Sequence, residues 1–473
     1  PALLVCSLLL SACSDQPWNR PYPADDAGRN ILYSSFQERP KHLDPAQSYS
    51  SNEVTFTGQI YEPPLQYHYL KRPYELIPLT ATELPMARYL DADGNPLPAD
   101  VSVDEIAFSY YDITIQSGIH YQPHPAFAQD AQGALRYHEL TADDLVDFYS
   151  LGDFPATGSR ELTAADYVYQ IKRLAHPGLH SPILGLMSDY IVGLGDYAKS
   201  LEAVWQQAGG SEQGTYLDLH EYPLEGAQVI DRYTYRITLH GKYPQLLYWL
   251  AMPFFGPVPA EADAFYSQPG MKERNITLDW YPVGTGPYML TVNNPNRQMV
   301  LERNPNFHGE TDPSEGEPGD LEAGLLADAG QPLPFIDRII FSLEKEDIPY
   351  WNKFLQGYYD ASGISSDSFD QAVSIGAGGE VSLTDDMRAQ GINLSTAVAT
   401  SIYYPGFNML DPVVGGYTEQ ARKLRHAISI AIDFEEYISI FMNGRGIPAQ
   451  GPIPPGIFGH VPGAAGINGH VYD

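Results

Sequence analysis

Apolar and polar positions alternate with the two-residue period of a strand at several places along this chain. The clearest run is 106–116, where Tyr111, Ile113 and Ile115 fall on one face and Phe108, Tyr110 and Thr114 on the other. The same period predicts a strand at 233–239, and further strand candidates lie at 30–36, 298–302, 300–303 and 336–343. Helical spacing appears near the end, where residues 418–432 place Ala421, Leu424, Ile428 and Ala431 on one face. Asp433 stands three positions before Glu436, a cap that predicts a second helix ending near Gly444. Two similar phrases, ELTADDLV at 139–146 and ELTAADYV at 161–168, each set a Thr three residues before an Asp. A reciprocal cap of that kind predicts a helix after each, the second stopping before His176-Pro177. An apolar run at 243–251 predicts a further helix, and 348–355 with Gly357 opens the strand–helix alternation of an α/β lobe.

Between these elements lies YPVGTGPYML at 281–290. Gly284 and Gly286 permit close approaches that a side chain would forbid, and Pro282 and Pro287 stiffen the chain around them. The design suits a loop that presents its backbone to something, and at its plainest a tight turn before the next strand. DADGN at 91–95 has the acidic spacing that opens a calcium loop but lacks Gly at the sixth position and an acid at the twelfth, so it reads as a turn. GLGDYA at 193–198 imitates a dinucleotide fingerprint. Only 190–192 could supply the strand before it and Asp196 would repel a phosphate, so it reads as chance. Residues 309–334 are acidic and rich in Gly and Pro, as in an inserted loop.

A chain of 473 residues exceeds one compact core, which implies two or three domains. Its formal charge of -32 argues against nucleic acid, whose phosphates need Lys and Arg, and keeps the surface off anionic lipid headgroups. The 34 tyrosines suit wet clefts as well as interiors. Residues 1–12 are an apolar run, too short to span a bilayer, that ends in small residues and reads as an incomplete secretion signal. The run 245–258 is also too short and is interrupted by Pro253 and Pro257. The 13 histidines show no paired-ligand spacing, and no G-x-S-x-G or P-loop occurs, so no cofactor or metal site is expected. A hydrolase using two of the 59 acidic residues stays open, because separation in space decides such pairs.

Leu10-Ser11-Ala12-Cys13 resembles the lipobox of bacterial lipoproteins, which implies that Cys13 carries lipid, that Cys6 is removed with the signal, and that 13–29 form a tether. Seven further phrases occur in one order: LDPAQSYSSN at 43–52, LTAADYVYQIKRLAHP at 162–177, MPFFGPVP at 252–259, PVGTGPYML at 282–290, LERNPNF at 301–307, RKLRHAISIAIDFEEYI at 422–438 and GIPAQGPIPPGIFG at 446–459. Together they resemble the family 5 extracellular solute-binding proteins, the oligopeptide-, dipeptide- and nickel-binding components of ABC importers. The resemblance implies an α/β, two-lobed periplasmic binding protein-like fold of class II, cluster C type, with an extra subdomain in the first lobe. The first lobe is expected over 30–308, with insertions at 126–160 and 309–334, and the second over 309–473.

It further implies a binding protein rather than an enzyme, a monomer held at the cell envelope of a bacterium by its lipid, that captures peptides between lobes and passes them to permease and ATPase subunits. A nickel chelate, haem or an oligosaccharide are the alternative solutes, and a surface sensor that lost transport is the alternative role. Carried over by position, the ligand-binding residues are Tyr49, Ser50 and Ser51 after LDP, Met252 and Phe254 in MPFFGPVP, and Thr285 in the glycine loop. Family chains continue beyond the IPPG phrase and carry there an Asp that holds a peptide's amino terminus. The C-terminal part of the second lobe is therefore expected to be missing from this chain.

Overall fold

The alternating run at 106–116 forms the strand Phe108–Thr114, and Tyr111, Ile113 and Ile115, which share one face of that run, are all buried. It is the centre of an antiparallel five-stranded sheet in the order Pro96–Leu97, Arg88–Leu90, Phe108–Thr114, Thr234–His240, Ala227–Val229. Register sets Tyr111 opposite Ile237 and Ile113 opposite Tyr235, so that both strands turn their apolar residues to one side. That side is covered by the helix Ala164–Arg173, whose Tyr167 stacks on Tyr235 with ring centroids 5.2 Å apart. These positions belong to a computed structural model, which describes residues 22, 26, 28–210, 216–375 and 381–463. The apolar leader, Cys6 and Cys13 lie outside the described residues.

A second sheet joins distant parts of the chain. Ile31–Phe36 pairs in parallel with Arg338–Leu343, which pairs antiparallel with Gln298–Arg303, and that strand pairs with Tyr288–Asn294. The helix Ser51–Ile60 lies against this sheet through Phe56, whose ring sits 4.9 Å from Phe341 and 6.1 Å from Phe36. Both sheets belong to one compact unit made of the described residues up to Leu70, those of 76–345, and Tyr358–Asp360. A second unit comprises Lys71–Glu75, Glu346–Gly357 and the described residues from Ala361 on. Its own core gathers Trp351, Phe369, Ala372, Val373, Leu383 and Met387. It also carries the helices Glu419–Ile430 and Phe434–Phe441, started by Thr418, which accepts from the Ala421 amide, and by Asp433, which accepts from Glu436.

Two expectations need correction, the helix after Thr141 and the length of the one at 243–251. Thr141 and Asp144 make the bonds of a cap, with the Thr141 amide and hydroxyl donating to Asp144 Oδ2 at 2.8 and 2.6 Å, yet only turns follow. Downstream only Leu145 is buried while Asp143, Val146 and Asp147 are exposed, so no apolar face repays the cost of a helix. The helix expected over 243–251 shrinks to Leu246–Trp249. GLGDYA serves as a helix start, with Gly193 at φ +75° before Leu194–Gln207. In DADGN, Asp91 Oδ1 accepts from the Asp93 and Asn95 amides and closes the turn. The 309–334 insertion is pinched at its base by Glu310–Thr311 pairing with Pro332–Leu333.

Candidate functional site

Four acids and one arginine shape the loop before the Ser51–Ile60 helix. The Glu53 side chain is buried and collects four backbone amides: Lys41 at 3.1 Å and His42 at 3.0 Å on Oε1, Tyr49 at 2.8 Å and Ser50 at 3.0 Å on Oε2. Burial alone would raise this carboxyl, but the four amides outweigh it and hold it below its ordinary range. Asp279 Oδ1 accepts from the Leu43 and Asp44 amides at 2.7 and 3.1 Å, and burial, the larger effect, leaves this acid raised. Asp44 in turn caps Ala46 and receives Arg173 Nη1 and Nη2 at 2.9 and 2.7 Å. Arg173 is buried and also faces Asp263 at 3.5 Å; burial would lower its pKa, and the two acids more than reverse that. A buried guanidinium needs such compensation. The LDP and YQIKR phrases are thus two halves of one ion cluster.

The clamped loop displays Tyr49, which is 70% exposed. Its ring lies 6.4 Å from Phe254, which lies 6.4 Å from Trp249, and Trp249 Nε1 donates to the Tyr243 hydroxyl at 3.0 Å. Ser50 and Ser51 are exposed at the start of the helix, Met252 is half-buried, and Phe254 is buried with its carbonyl accepting from Gln170 Nε2 at 3.0 Å. Tyr67 and Tyr248 extend the exposed aromatic surface, with the Leu65 amide bonded to the Leu250 carbonyl beside them. Burial and then the neighbouring Tyr248 raise the Tyr67 hydroxyl. Tyr67, Tyr248 and Trp249 were not singled out from sequence, although the density of aromatics in LLYWLAMPFF is a signal that could have marked the last two.

Thr285 is elsewhere. The glycine loop presents its backbone to the protein's own helix: a Cβ on Gly284 would stand 1.8 Å from the Ile60 carbonyl oxygen, and one on Gly286 would stand 2.6 Å from that of Gln59. The Gly286 amide donates to Ile60 at 2.9 Å, and the Gly284 carbonyl accepts from the Gln122 amide at 2.9 Å. Thr285 is fully buried, and its hydroxyl has no hydrogen-bond partner among the described residues. It sits at the C-terminal end of a ten-residue helix whose N-terminus holds Tyr49–Ser51, a separation of about 15 Å. The structure therefore brings Tyr49, Ser50, Ser51 and Phe254 together, with Met252 two residues from Phe254, and sets Thr285 apart.

The start of the same loop is held by His124. The Ala126 amide donates to Nδ1 at 3.1 Å, so Nε2 carries the proton and donates to the Tyr266 hydroxyl at 2.7 Å, which donates to the Tyr281 carbonyl at 2.6 Å. Burial, with His138 nearby, holds the His124 pKa down at about 3. Among the described residues no group of three or more His, Cys, Asp or Glu could hold a metal ion, and no helix is long and apolar enough to cross a membrane.

The family model for bacterial extracellular solute-binding proteins, family 5 Middle, matches residues 157–471. The periplasmic oligopeptide-binding protein OppA of Salmonella typhimurium is 29% identical over 147 residues, 31% of this chain and 23% of OppA. The periplasmic binding protein DppA from Helicobacter pylori, solved with the peptide STSA, is 16% identical with a TM-score of 0.55 over 95% of this chain and 65% of its own. Burkholderia pseudomallei OppA gives 16%, 0.54, 90% and 60%, and the Escherichia coli murein tripeptide binding protein MppA gives 16%, 0.56, 92% and 62%. The chain spans less than two thirds of the length of each of these relatives. At such identities the likeness is one of fold, the two-lobed periplasmic binding protein type of class II.

Proposed function

The chain belongs to the bacterial extracellular solute-binding proteins of family 5, and on that premise we propose that it captures peptides between two lobes and delivers them uncleaved to the permease and ATPase subunits of an ABC importer. The observation that carries this reading beyond family membership is the display of Tyr49, largely exposed beside Phe254 on a loop whose amides are clamped by Glu53 and Asp279. An exposed aromatic on a rigid backbone gives contact area at low cost in conformational entropy. Ser50 and Ser51 add hydroxyls beside it, and Met252 and Phe254 supply apolar contact. Thr285 stays in the proposed set through its unpartnered hydroxyl; a Thr285→Val protein with the parent's affinity would remove it.

The mechanism is one of population shift. A peptide that binds the closed arrangement better than the open one moves the molecule toward it, by no more than that difference in affinity. A permease that recognises the closed form then receives the cargo. Cys13, as the lipidated residue, would hold the protein at the envelope, and a Cys13→Ser protein should leave the membrane fraction. Calorimetry of the purified protein against a panel of di- to pentapeptides tests the reading. Saturable binding with one peptide per chain supports it; binding of a chelated metal or a glycan with no peptide response overturns it.

A further inference from the structure

A cleft with a cavity volume of about 540 Å³ opens in the first unit between the helix Ala164–Arg173 and the helix Ala260–Tyr266. That is the size of a small-molecule site. Its chemistry is decided by which groups are already used. Arg160 has five N–H donors and all five are committed: Nε to Glu261 Oε1 at 2.7 Å, Nη1 to the Glu161 carbonyl at 3.0 Å and Asp166 Oδ2 at 2.9 Å, Nη2 to Asp166 Oδ1 at 2.6 Å and Glu261 Oε2 at 2.6 Å. Arg232 at the rim is paired with Glu161 at 2.7 Å. Of the two guanidiniums in the lining, the inner one, Arg160, has no donor left for an anion.

The acceptors are in the opposite state. Each Glu261 oxygen takes one bond from Arg160 and keeps a lone pair, and the side chain remains 29% exposed. Burial would raise the Glu261 carboxyl, and Arg160 outweighs it, so this acid is ionised at neutral pH. His138 Nε2 lies 2.9 Å from the Ala126 carbonyl and His220 Nδ1 2.9 Å from Asp218 Oδ1. Both rings line the cleft. Tyr216 adds aromatic surface, whereas Tyr169 is buried and its hydroxyl is donated to Asp263 at 2.8 Å. Three acids against two arginines leave the lining with a net negative charge.

We propose that this cleft binds a primary ammonium group, as in a small aliphatic amine or diamine. An ammonium brings three donors and one positive charge to the Glu261 lone pairs, in a lining of net negative charge. The site goes beyond peptide capture and shares no residue with the Tyr49 surface. The test is calorimetry of the full chain with 1,4-diaminobutane as probe and succinate as the oppositely charged control. The parent should bind the diamine and not succinate. Glu261→Gln should weaken the diamine at least tenfold, and so should Ala264→Leu, which fills the cleft and leaves every charge in place. An absent diamine response, equal affinity in the parent and both variants, preference for succinate, or competition between diamine and peptide would each overturn the inference. None of these results bears on peptide capture, which the peptide panel judges separately.

Discussion

Replacing Glu53 by Gln tests how the Tyr49 loop is held. Four amide donors converge on one buried carboxylate, two on each oxygen. In the Gln side chain only one oxygen remains, and the amide group that replaces the other turns two donors toward two donors. Hydrogen bonds to a charged acceptor contribute about 1.5–3 kcal/mol each, and two of the four are lost. Allowing for relaxation, local stability of the loop should fall by about 3 kcal/mol, roughly a hundredfold in the opening equilibrium. Hydrogen exchange read on the amides of His42, Tyr49 and Ser50 reports that equilibrium directly, with the helix Ala164–Arg173 as internal reference. The expected result is faster exchange confined to the loop, with weaker peptide binding. Exchange at Tyr49 and Ser50 within threefold of the parent would refute the clamp.

Three other outcomes are expected. Gly284→Ala, whose Cβ would sit 1.8 Å from the Ile60 carbonyl oxygen, should destabilise the first unit by about 3 kcal/mol or more in urea unfolding, whereas Gly185→Ala, in open space on a helix, should be neutral or slightly stabilising. Because the folded-state pKa of His124 is depressed to about 3 from 6.5, the stability it supports is complete above 6.5 and is lost as pH falls toward 3. Each pH unit well inside that window costs about 1.4 kcal/mol and less near its upper end, so from pH 6.5 to 4.5 the parent should lose about 2 kcal/mol more than His124→Asn, and parallel curves would exclude this group. Tyr49→Ala should weaken peptide binding by about 10- to 100-fold with unfolding unchanged within about 0.5 kcal/mol, since the ring is exposed in the free protein.

The strand at 106–116 was legible because a two-residue period separates its faces: Tyr111, Ile113 and Ile115 share one face, and the fold shows that face to be the buried one. Caps were legible only in part. The Thr163–Asp166 pair starts a helix because Tyr167, Val168, Tyr169 and Ile171 are there to be buried, whereas Thr141–Asp144 is followed by exposed acids. The glycine loop was recognised as a place of close approach, yet what approaches is the end of the protein's own Ser51–Ile60 helix, some 225 residues earlier in the chain. The same holds for Asp44 with Arg173 and for Leu43 with Asp279. Such pairs carry no local period, and only the folded chain brings them together. Glu53 stands at the end of a Pro- and Ser-rich stretch, and nothing in its neighbours announces the amides of Lys41 and His42.

The most direct measurement is native mass spectrometry of the protein as it is isolated from its own cells. Capture and release without chemistry predicts a population heavier by the mass of one peptide per chain, which on denaturation yields that peptide whole and on addition of a competing peptide exchanges for it. A protein that carries and accepts no peptide, or that returns the added peptide in fragments, would contradict the account.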